Sequence, residues 1–235
     1  MKTTTKRLTF MIFITALFIM SPYLMIRGLN STNTTAGDPT TLPDPRTSSS
    51  SVAETIFSRR STRSFSDIPI TIENISDLLW STIGIIVDGI TGPTRASPSA
   101  GATNPLMIYL FARDVEGLEP GVYRYHNEDH SLEQLSPREK SMELRQAALN
   151  QFAVSRAQAN IVIAADYEKT MDRYTIRGIT YVHLEAGHAA QNVVLMAESL
   201  GLGSVIIGSF SDGLVKNLLG SDVAAPLLII PVGSR

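Results

Sequence analysis

Apolar and polar positions follow helical and strand-like spacings from about residue 52 to the C-terminus. Apolar residues three and four apart predict helices over residues 52–59, 71–85, 141–158, 181–200 and 212–219. Apolar or alternating runs predict strands at residues 105–114, 160–167, 204–210 and 226–233, and a hairpin over 121–135 that turns at 127–129. One meander of strands mixed with several helices, without a tandem βαβ repeat, predicts an α+β domain over residues 52–235.

The first 51 residues have a different pattern. Residues 1–7 carry Lys2, Lys6 and Arg7, and residues 8–26 are mostly apolar, which is close to the roughly 20 residues of a membrane span. We favour an uncleaved transmembrane anchor over a cleaved signal segment. The excess of positive charge before the span predicts a cytoplasmic N-terminus and an extracytoplasmic domain. Residues 27–51 are rich in Ser, Thr and Pro and predict a flexible linker.

Composition removes several classes of function. The net charge of −2 argues against a general nucleic-acid binder, so no nucleic-acid partner is predicted. The absence of cysteine excludes disulfides, thiolate zinc sites and a cysteine nucleophile. His183 and His188 are five residues apart on a helix and do not share a face, so no metal site is predicted. Nucleophile-elbow, phosphate-loop and zinc-protease motifs do not occur.

The longest predicted helix has a surface of small apolar side chains, which permits close helix packing. Two interpretations remain open, packing inside one core and dimerisation through this helix. The residues concerned are Ala186, Gly187, Ala189, Ala190, Val193, Val194 and Ala197.

Three segments are candidates for holding an anion or a flat ligand. The segment RRSTRSF, residues 59–65, supplies guanidinium groups that can bind phosphate, although a solvated basic turn is the common alternative. The segment RASPSAGATNP, residues 95–105, is either an ordinary loop or one whose small residues leave room for a ligand. In IIGSF, residues 206–210, Gly208 lets the backbone approach a ring, unless this is only a strand end.

These segments occur in an order that resembles the nitroreductase family and, within it, the SagB-type (azoline) dehydrogenase branch. The resemblance rests on RRSTRSF, DLLWSTIGI, RASPSAGATNP, EGLEPGVYRYHNEDHSLEQL, TYVHLEAGHAAQNVVLMAESLGLGSVIIGSF and PLLIIPVG, and it covers residues 53–235. It implies an FMN-dependent homodimer with a central, mostly antiparallel sheet flanked by helices.

The resemblance also implies which residues bind FMN. Arg59, Arg60 and Ser61 would contact the phosphate and ribityl chain, with Arg63 near them and Arg235 as a further phosphate-binding cation. A second set would line the flavin from the partner subunit: Pro98, Ser99, Ala100 and Gly101. A third set would lie against the ring and offer N–H groups near N5: Ile207, Gly208 and Ser209.

The implied activity is hydride transfer between flavin N5 and a small organic substrate, with Tyr174 as the candidate proton donor or acceptor. Azoline-oxidising members of the branch carry a Lys-Tyr pair where this chain has Arg173 and Tyr174. An azoline peptide oxidase is therefore the alternative enzyme, and a non-enzymatic flavin binder or a structural surface protein are alternatives of other classes. The electron donor would be NAD(P)H or, for an extracytoplasmic domain, a membrane carrier.

Overall fold

The computed structural model describes residues 38–48, 50–87 and 92–235. The strands are β1 (Thr40–Thr41), β2 (Ile70–Thr71), β3 (Ile85–Val87), β4 (Pro93–Arg95), β5 (Leu106–Ala112), β6 (Val115–Glu116), β7 (Gly121–His126), β8 (Ser131–Ser136), β9 (Ala159–Ala165), β10 (Leu202–Ser204) and β11 (Ala225–Ser234). The helices are α1 (Val52–Ser58), α2 (Ile72–Ile83), α3 (Ser141–Ala147), α4 (Phe152–Arg156), α5 (Glu168–Tyr174), α6 (Arg177–Ser199) and α7 (Asp212–Leu219).

A seven-stranded sheet forms the centre of the domain, in the order β1-β8-β7-β5-β9-β11-β10. Every neighbouring pair in this sheet is antiparallel. The strands β5 and β9 are buried along their whole length, because helices cover both faces of the sheet. The predicted α+β class and its central antiparallel sheet flanked by helices are confirmed.

Alternate side chains of β5 enter two separate cores, as the two-residue period of a strand requires. Ile108 and Leu110 pack on one face with α2 and α6, whereas Tyr109 and Phe111 pack on the other face with α3, α4 and α7. The first core carries the long helix α6, and the elements around that helix define the site described below.

Local sequence explains where several helices begin and end. The Thr71 hydroxyl accepts the Asn74 N–H at 3.3 Å, and the Asn74 side chain accepts the Thr71 N–H at 3.2 Å, so the predicted cap of α2 is confirmed. Gly201, with φ of +74°, follows the end of α6.

Two predicted elements differ from the structure. The helix predicted over residues 141–158 is divided into α3 and α4, because Leu149 and Asn150 adopt positive φ angles and the Asn150 N–H caps the Arg145 carbonyl at 2.9 Å. The strand predicted over residues 204–210 ends with β10 at Ser204, and beyond it Ile207 makes an isolated bridge to Ile229.

The small apolar face of α6 lies inside the domain's own core. Ala189, Ala190, Val193 and Ala197 are fully buried and pack with α2 and the sheet. The face is therefore a core contact and does not supply the dimer seam that was one of the two interpretations. Gly187 differs, since it lies on the exposed side of α6.

Part of the segment predicted as a linker packs on the domain. β1 pairs with β8, Leu42 is 4% exposed, and its N–H donates to the His130 carbonyl at 3.0 Å. Arg46 donates to the buried carboxylate of Asp77 from its backbone N–H at 2.7 Å and from its side chain at 2.9 and 2.7 Å. We call residues 40–46 the N-terminal strap. Its Thr and Pro residues are typical of a linker, and its contacts with the domain depend on partners distant in sequence.

The predicted localisation, a single-pass membrane protein with an extracytoplasmic domain, is corrected by the structure. Among residues 38–48, 50–87 and 92–235, no helix combines the length and the apolar character required to cross a membrane. The segment on which that prediction rested, residues 8–26, lies outside the described residues.

Packing of the strap predicts that truncating Leu42 lowers the stability of the fold substantially. We expect Leu42→Ala to lower the free energy of unfolding by about 2–4 kcal/mol, because it removes a buried side chain from the core. Leu135→Ala, on the neighbouring strand β8 and 37% exposed, is the matched control and should change stability by much less. Urea denaturation of the purified chain measures both. Equal stability of the Leu42→Ala variant and the parent would show that the strap is an unattached linker.

Candidate functional site

Main-chain contacts fix the arginine-rich segment beside the last strands of the sheet. Ser61 forms a parallel bridge with Ser204, and the Thr62 N–H donates to the Ser204 carbonyl at 2.8 Å. Gly203 makes the approach close, since a Cβ at that position would lie 2.6 Å from the Thr62 methyl carbon. The segment 59–65 is therefore held against the chain that leads to Gly208.

Three of the predicted phosphate-binding residues meet at one cavity of about 280 Å³. Arg59, Ser61 and Arg63 line it together with α6 and the segment that follows β10. The remaining lining residues are Gln191, Val194, Val205 and Ile206. Two guanidinium groups and a hydroxyl around one cavity make a suitable site for a phosphate group.

Arg60 and Arg235 have other partners. The Arg60 guanidinium donates to the carbonyls of Phe57, Ser58 and Arg59 at 2.9, 3.1 and 2.9 Å, so it satisfies the C-terminal end of α1. Arg235 pairs with Glu198, and this hydrogen bond is the main reason that the pKa of Glu198 is lowered. The structure thus separates Arg60 and Arg235 from the cavity that Arg59 and Arg63 share.

A second and larger cavity, of about 620 Å³, follows the first along α6. Gln191 lines the first cavity and Gly187, one turn earlier, lines the second. From Val194 to His183 the helix advances about 16 Å at 1.5 Å per residue. The second cavity is lined by Tyr167, His183, Ala186, Gly187, Gly208, Phe210, Asp212, Gly213, Lys216, Ala225, Pro226, Leu227 and Leu228. We call the two cavities together the α6 groove.

Two glycines leave open space in the α6 groove. A Cβ on Gly187 would have no atom within 4 Å, and a Cβ on Gly208 would meet only Leu228, at 3.9 Å. Neither glycine has a positive φ angle, so neither is required by backbone conformation. A glycine inside a helix is destabilising relative to alanine by about 0.5–1 kcal/mol. Gly187 therefore leaves space in the groove that its backbone conformation does not require.

The segment 206–210 contributes to the groove differently from the prediction. The side chain of Ile207 is buried in the second core, and its N–H donates to the Ile229 carbonyl at 2.8 Å. Ile207 therefore cannot offer its N–H to a ligand. Ile206 and Gly208 line the cavities in its place, and Ser209 is exposed beside them. The two-residue period of an extended segment would have identified Ile206.

The second predicted set, the loop of residues 98–101, lies at a different place in the structure. In the part of the chain that the structure describes, neither cavity of the α6 groove is lined by Pro98, Ser99, Ala100 or Gly101. This loop packs on α5 instead, where the Arg173 guanidinium donates to the Gly101 carbonyl at 2.9 Å. A Cβ on Gly101 would lie 2.4 Å from the Tyr174 hydroxyl. Tyr174 is thus brought to this loop and not to the groove.

Three polar groups near these surfaces were not identified from the sequence. Glu185 is buried under the loop, and burial raises its pKa while hydrogen bonds from the Ser99 hydroxyl and the Ala100 N–H oppose the rise. At the far end of the α6 groove the Tyr167 hydroxyl bonds to Nε2 of His183, and burial raises the pKa of Tyr167. In the sequence, only their helical spacing distinguished Glu185 and His183, and that spacing does not indicate a functional role.

The sequence of the chain is related to those of known proteins. Residues 56–234 match the nitroreductase family. The chain belongs to the nitroreductase family. A protein of Methanocaldococcus jannaschii named as a nitroreductase, MJ1384, is 42% identical over 182 residues, which cover 77% of this chain and 90% of that protein.

Other relatives of this nitroreductase-family chain have more specific names. The trifolitoxin-processing protein TfxB of Rhizobium leguminosarum bv. trifolii is 29% identical over 133 residues, covering 54% of this chain and 36% of TfxB. The NADPH-flavin oxidoreductase of Vibrio harveyi is 29% identical over 175 residues, covering 71% of this chain and 58% of that enzyme. The chain therefore spans less than two thirds of both proteins.

A solved structure has the same fold. A crystal structure from Ralstonia eutropha JMP134, described as that of a nitroreductase, is 26% identical with a TM-score of 0.71, covering 84% of this chain and 89% of that one. The chain is a nitroreductase-family oxidoreductase, and members of this family typically bind flavin. The α6 groove, with cations at one end and open space over glycines at the other, fits such a group.

Open space over Gly187 predicts that alanine will stabilise the protein there. We expect Gly187→Ala to raise the free energy of unfolding of the flavin-free nitroreductase domain by about 0.5–1 kcal/mol. Gly178→Ala, in the same helix, is the matched control and should destabilise, since its Cβ would lie 2.9 Å from the Met171 backbone. Both are measured by urea denaturation. Destabilisation by Gly187→Ala would mean that the space over this residue is not open.

Proposed function

We propose that this protein is an FMN-dependent oxidoreductase that transfers a hydride between flavin N5 and a small organic substrate. The observation that carries the proposal is the α6 groove, which has Arg59 and Arg63 at one end and Gly187 and Gly208 at the other. Family membership and the name of the Vibrio harveyi relative support the choice of flavin. NAD(P)H is the electron donor that we propose.

The arginine end of the groove would bind the FMN phosphate. Arg59 and Arg63 would each form charge-assisted hydrogen bonds, which contribute about 1.5–3 kcal/mol apiece, and Ser61 would add a hydroxyl donor. Arg60 would act indirectly, by holding the end of α1 from which Arg59 extends. Arg235 would likewise order this end of the molecule through Glu198.

The glycine end of the groove would hold the isoalloxazine ring. Gly187 and Gly208 would let the ring approach α6 and the segment 206–210, where the Gly208 and Ser209 N–H groups are the donors that we assign to N5. Flavin supplies the hydride chemistry when it is bound, so the protein's role is to bind, orient and exclude water. The pair of Tyr167 and His183 closes the far end of the groove.

A homodimer would bring the two parts of the site together. Within one chain the loop 98–101 and Tyr174 lie away from the α6 groove, and we propose that they cover the flavin of a partner subunit. The exposed side of α6, which carries His183, Leu184 and Gly187, would face the partner. The apolar side chain of Leu184 is 53% exposed on this side, and a partner subunit would cover it.

An azoline peptide oxidase is the second candidate, favoured by the similarity to a protein named as a toxin-processing protein. Arg173 replaces the lysine of the azoline-oxidising members. A guanidinium group stays protonated in proteins, so Arg173 cannot accept a proton as a lysine amine can. Tyr174 would be the remaining proton-transfer group in either enzyme. The simpler hydride-transfer reaction is therefore our main proposal.

The FMN assignment predicts different effects for two neighbouring arginines. We expect Arg59→Ala to weaken FMN binding on the order of tenfold or more, because it removes a charge-assisted hydrogen bond to the phosphate. Arg60→Ala should weaken FMN binding much less than Arg59→Ala does, because Arg60 would act only through the end of α1. Titration of flavin-free protein with FMN measures both, and riboflavin, which lacks the phosphate, should bind the parent more weakly.

One result would contradict the phosphate assignment and another the proposed activity. One is equal FMN affinity of the parent and an Arg59→Ala, Arg63→Ala double variant, which would remove the phosphate site from the groove. The other is an FMN-loaded parent whose flavin absorbance is not bleached by NADPH or NADH, which would favour the passive flavin binder.

The proposed dimer predicts that a charge at Leu184 separates the subunits. We expect Leu184→Arg to give monomers with greatly reduced FMN content, because the charge would be buried in the interface. Met142→Arg is the control: Met142 is an apolar side chain of similar size, 50% exposed on α3, and this variant should remain dimeric. Analytical ultracentrifugation and flavin absorbance measure the two quantities. A parent chain that is monomeric and fully loaded with FMN would refute the shared site.

A further inference from the structure

Backbone strain is concentrated where the loop 98–104 meets the end of α5. Thr175, directly after Tyr174, has φ of +50° and ψ of −141°, a conformation rarely adopted by a β-branched residue. Across from it, Gly101, Ala102 and Asn104 also have positive φ angles, of +57°, +55° and +46°. Strained residues of this kind persist only where the surrounding contacts fix them, and they cluster at sites of function.

Hydrogen bonds lock these two strained segments together. Thr103 and Thr170 join their hydroxyl groups at 2.8 Å, and Arg173 donates to the Gly101 carbonyl at 2.9 Å. The Ser99 hydroxyl accepts the Asn104 N–H at 2.9 Å inside the loop. The position of the Arg173 side chain is therefore set by the loop and by its own helix at once.

The Arg173 guanidinium retains most of its binding capacity. It carries five N–H groups, and among residues 38–48, 50–87 and 92–235 the Gly101 carbonyl is its hydrogen-bond partner. No carboxylate of the described residues lies within ion-pair distance. The side chain is exposed, 5.5 Å from the centre of the Tyr174 ring. Arg173 is thus a cation held beside a phenol, with no ion-pair partner in the described part of the chain.

The neighbouring rings extend this site with a second cation. Tyr174 packs edge-on against Tyr181 with ring centres 5.0 Å apart, and Arg177 lies 5.5 Å from the centre of the Tyr181 ring. The surface thus alternates guanidinium, phenol, phenol and guanidinium. An anionic ligand with an unsaturated or aromatic body matches this surface, because guanidinium groups bind its charge and the rings contact its flat part.

We propose that Arg173 binds the carboxylate of this enzyme's substrate, which makes the substrate class small carboxylates with a flat, unsaturated body. The inference rests on the proposed function, since the loop 98–101 is the part of the chain that we place against the partner's flavin. It explains why an arginine stands beside Tyr174: the planar guanidinium binds a carboxylate through two parallel N–H donors and needs no change of protonation.

A carboxylate fits the available donors better than a phosphate does. Four of the loop amides have partners: Ala102 donates to the Ser99 carbonyl, Thr103 to the Ala100 carbonyl, Asn104 to the Ser99 hydroxyl, and Ala100 to Glu185. The donors next to the Gly101 contact are the free edge of the Arg173 guanidinium group and the phenol of Tyr174, whereas Arg177 lies farther along, beside Tyr181. These match the two oxygens of a carboxylate, whereas phosphate presents three acceptor oxygens and more charge.

Benzoate and benzamide test this assignment, because they share a shape and differ in charge. We expect isothermal titration calorimetry of the FMN-loaded chain to show that benzoate binds at least about tenfold more tightly than benzamide. Arg173→Gln should remove that preference, and Arg173→Lys should keep part of it, because the charge remains while the planar fork is lost. Arg138→Gln, at an exposed arginine in the turn after β8, is the control and should bind benzoate as the parent does.

The outcomes separate this inference from the proposed function. A flavin-containing chain that does not distinguish benzoate from benzamide, or whose preference survives Arg173→Gln, overturns the carboxylate site and leaves the FMN proposal intact. A chain without affinity for FMN that still shows Arg173-dependent preference for benzoate overturns the oxidoreductase proposal and supports the carboxylate site. Flavin absorbance is recorded on every variant, so that loss of benzoate binding is compared at equal FMN content.

Discussion

The close approach of α6 to the central sheet is the constraint on which the rest of the structure depends. Alanine and valine on its inner face allow the helix to pack against α2 and the sheet, and its neighbours include α1, α5, β10 and β11. Larger side chains at Ala189 or Ala190 would push it outward, and overpacking of this kind is destabilising by about 1–3 kcal/mol. Main-chain bonds join β10 to the arginine segment, so these two elements form one wall of the groove opposite α6.

The same helix carries two kinds of small residue for two different reasons. Ala190 is small because the core behind it is full, whereas Gly187 is small although nothing lies above it. In sequence both belong to one stretch of small apolar side chains, and residues three apart are neighbours on a helix, so spacing alone does not show that Gly187 is exposed and Ala190 buried. Three-dimensional packing distinguishes a residue that permits folding from one that leaves room for a ligand.

Sequence reasoning succeeded where local chemistry decides the outcome. The Thr71 cap, the buried runs of β5 and β9, and the hairpin of β7 and β8 all follow from residues within a few positions of one another. Prediction from the sequence was less complete where the position of a side chain depends on contacts with residues distant in sequence. Arg60 and Arg63 are alike in sequence, yet the carbonyls at the end of α1 bind Arg60 and leave Arg63 at the cavity. The N-terminal strap shows the same limitation, since its partners are more than 30 residues away.

The pairing of β1 with β8 has a consequence for self-association. β8 would otherwise be the outermost strand of the sheet at this side, and unpaired backbone groups on an outer strand can bind a strand of another molecule. β1 covers the beginning of β8 at Leu132 and Ser131, and the strap behind it is fastened by Arg46 to a buried carboxylate. A chain shortened to start at residue 52 would lose this cover, and its exposed strand edge would become a template for edge-to-edge aggregation.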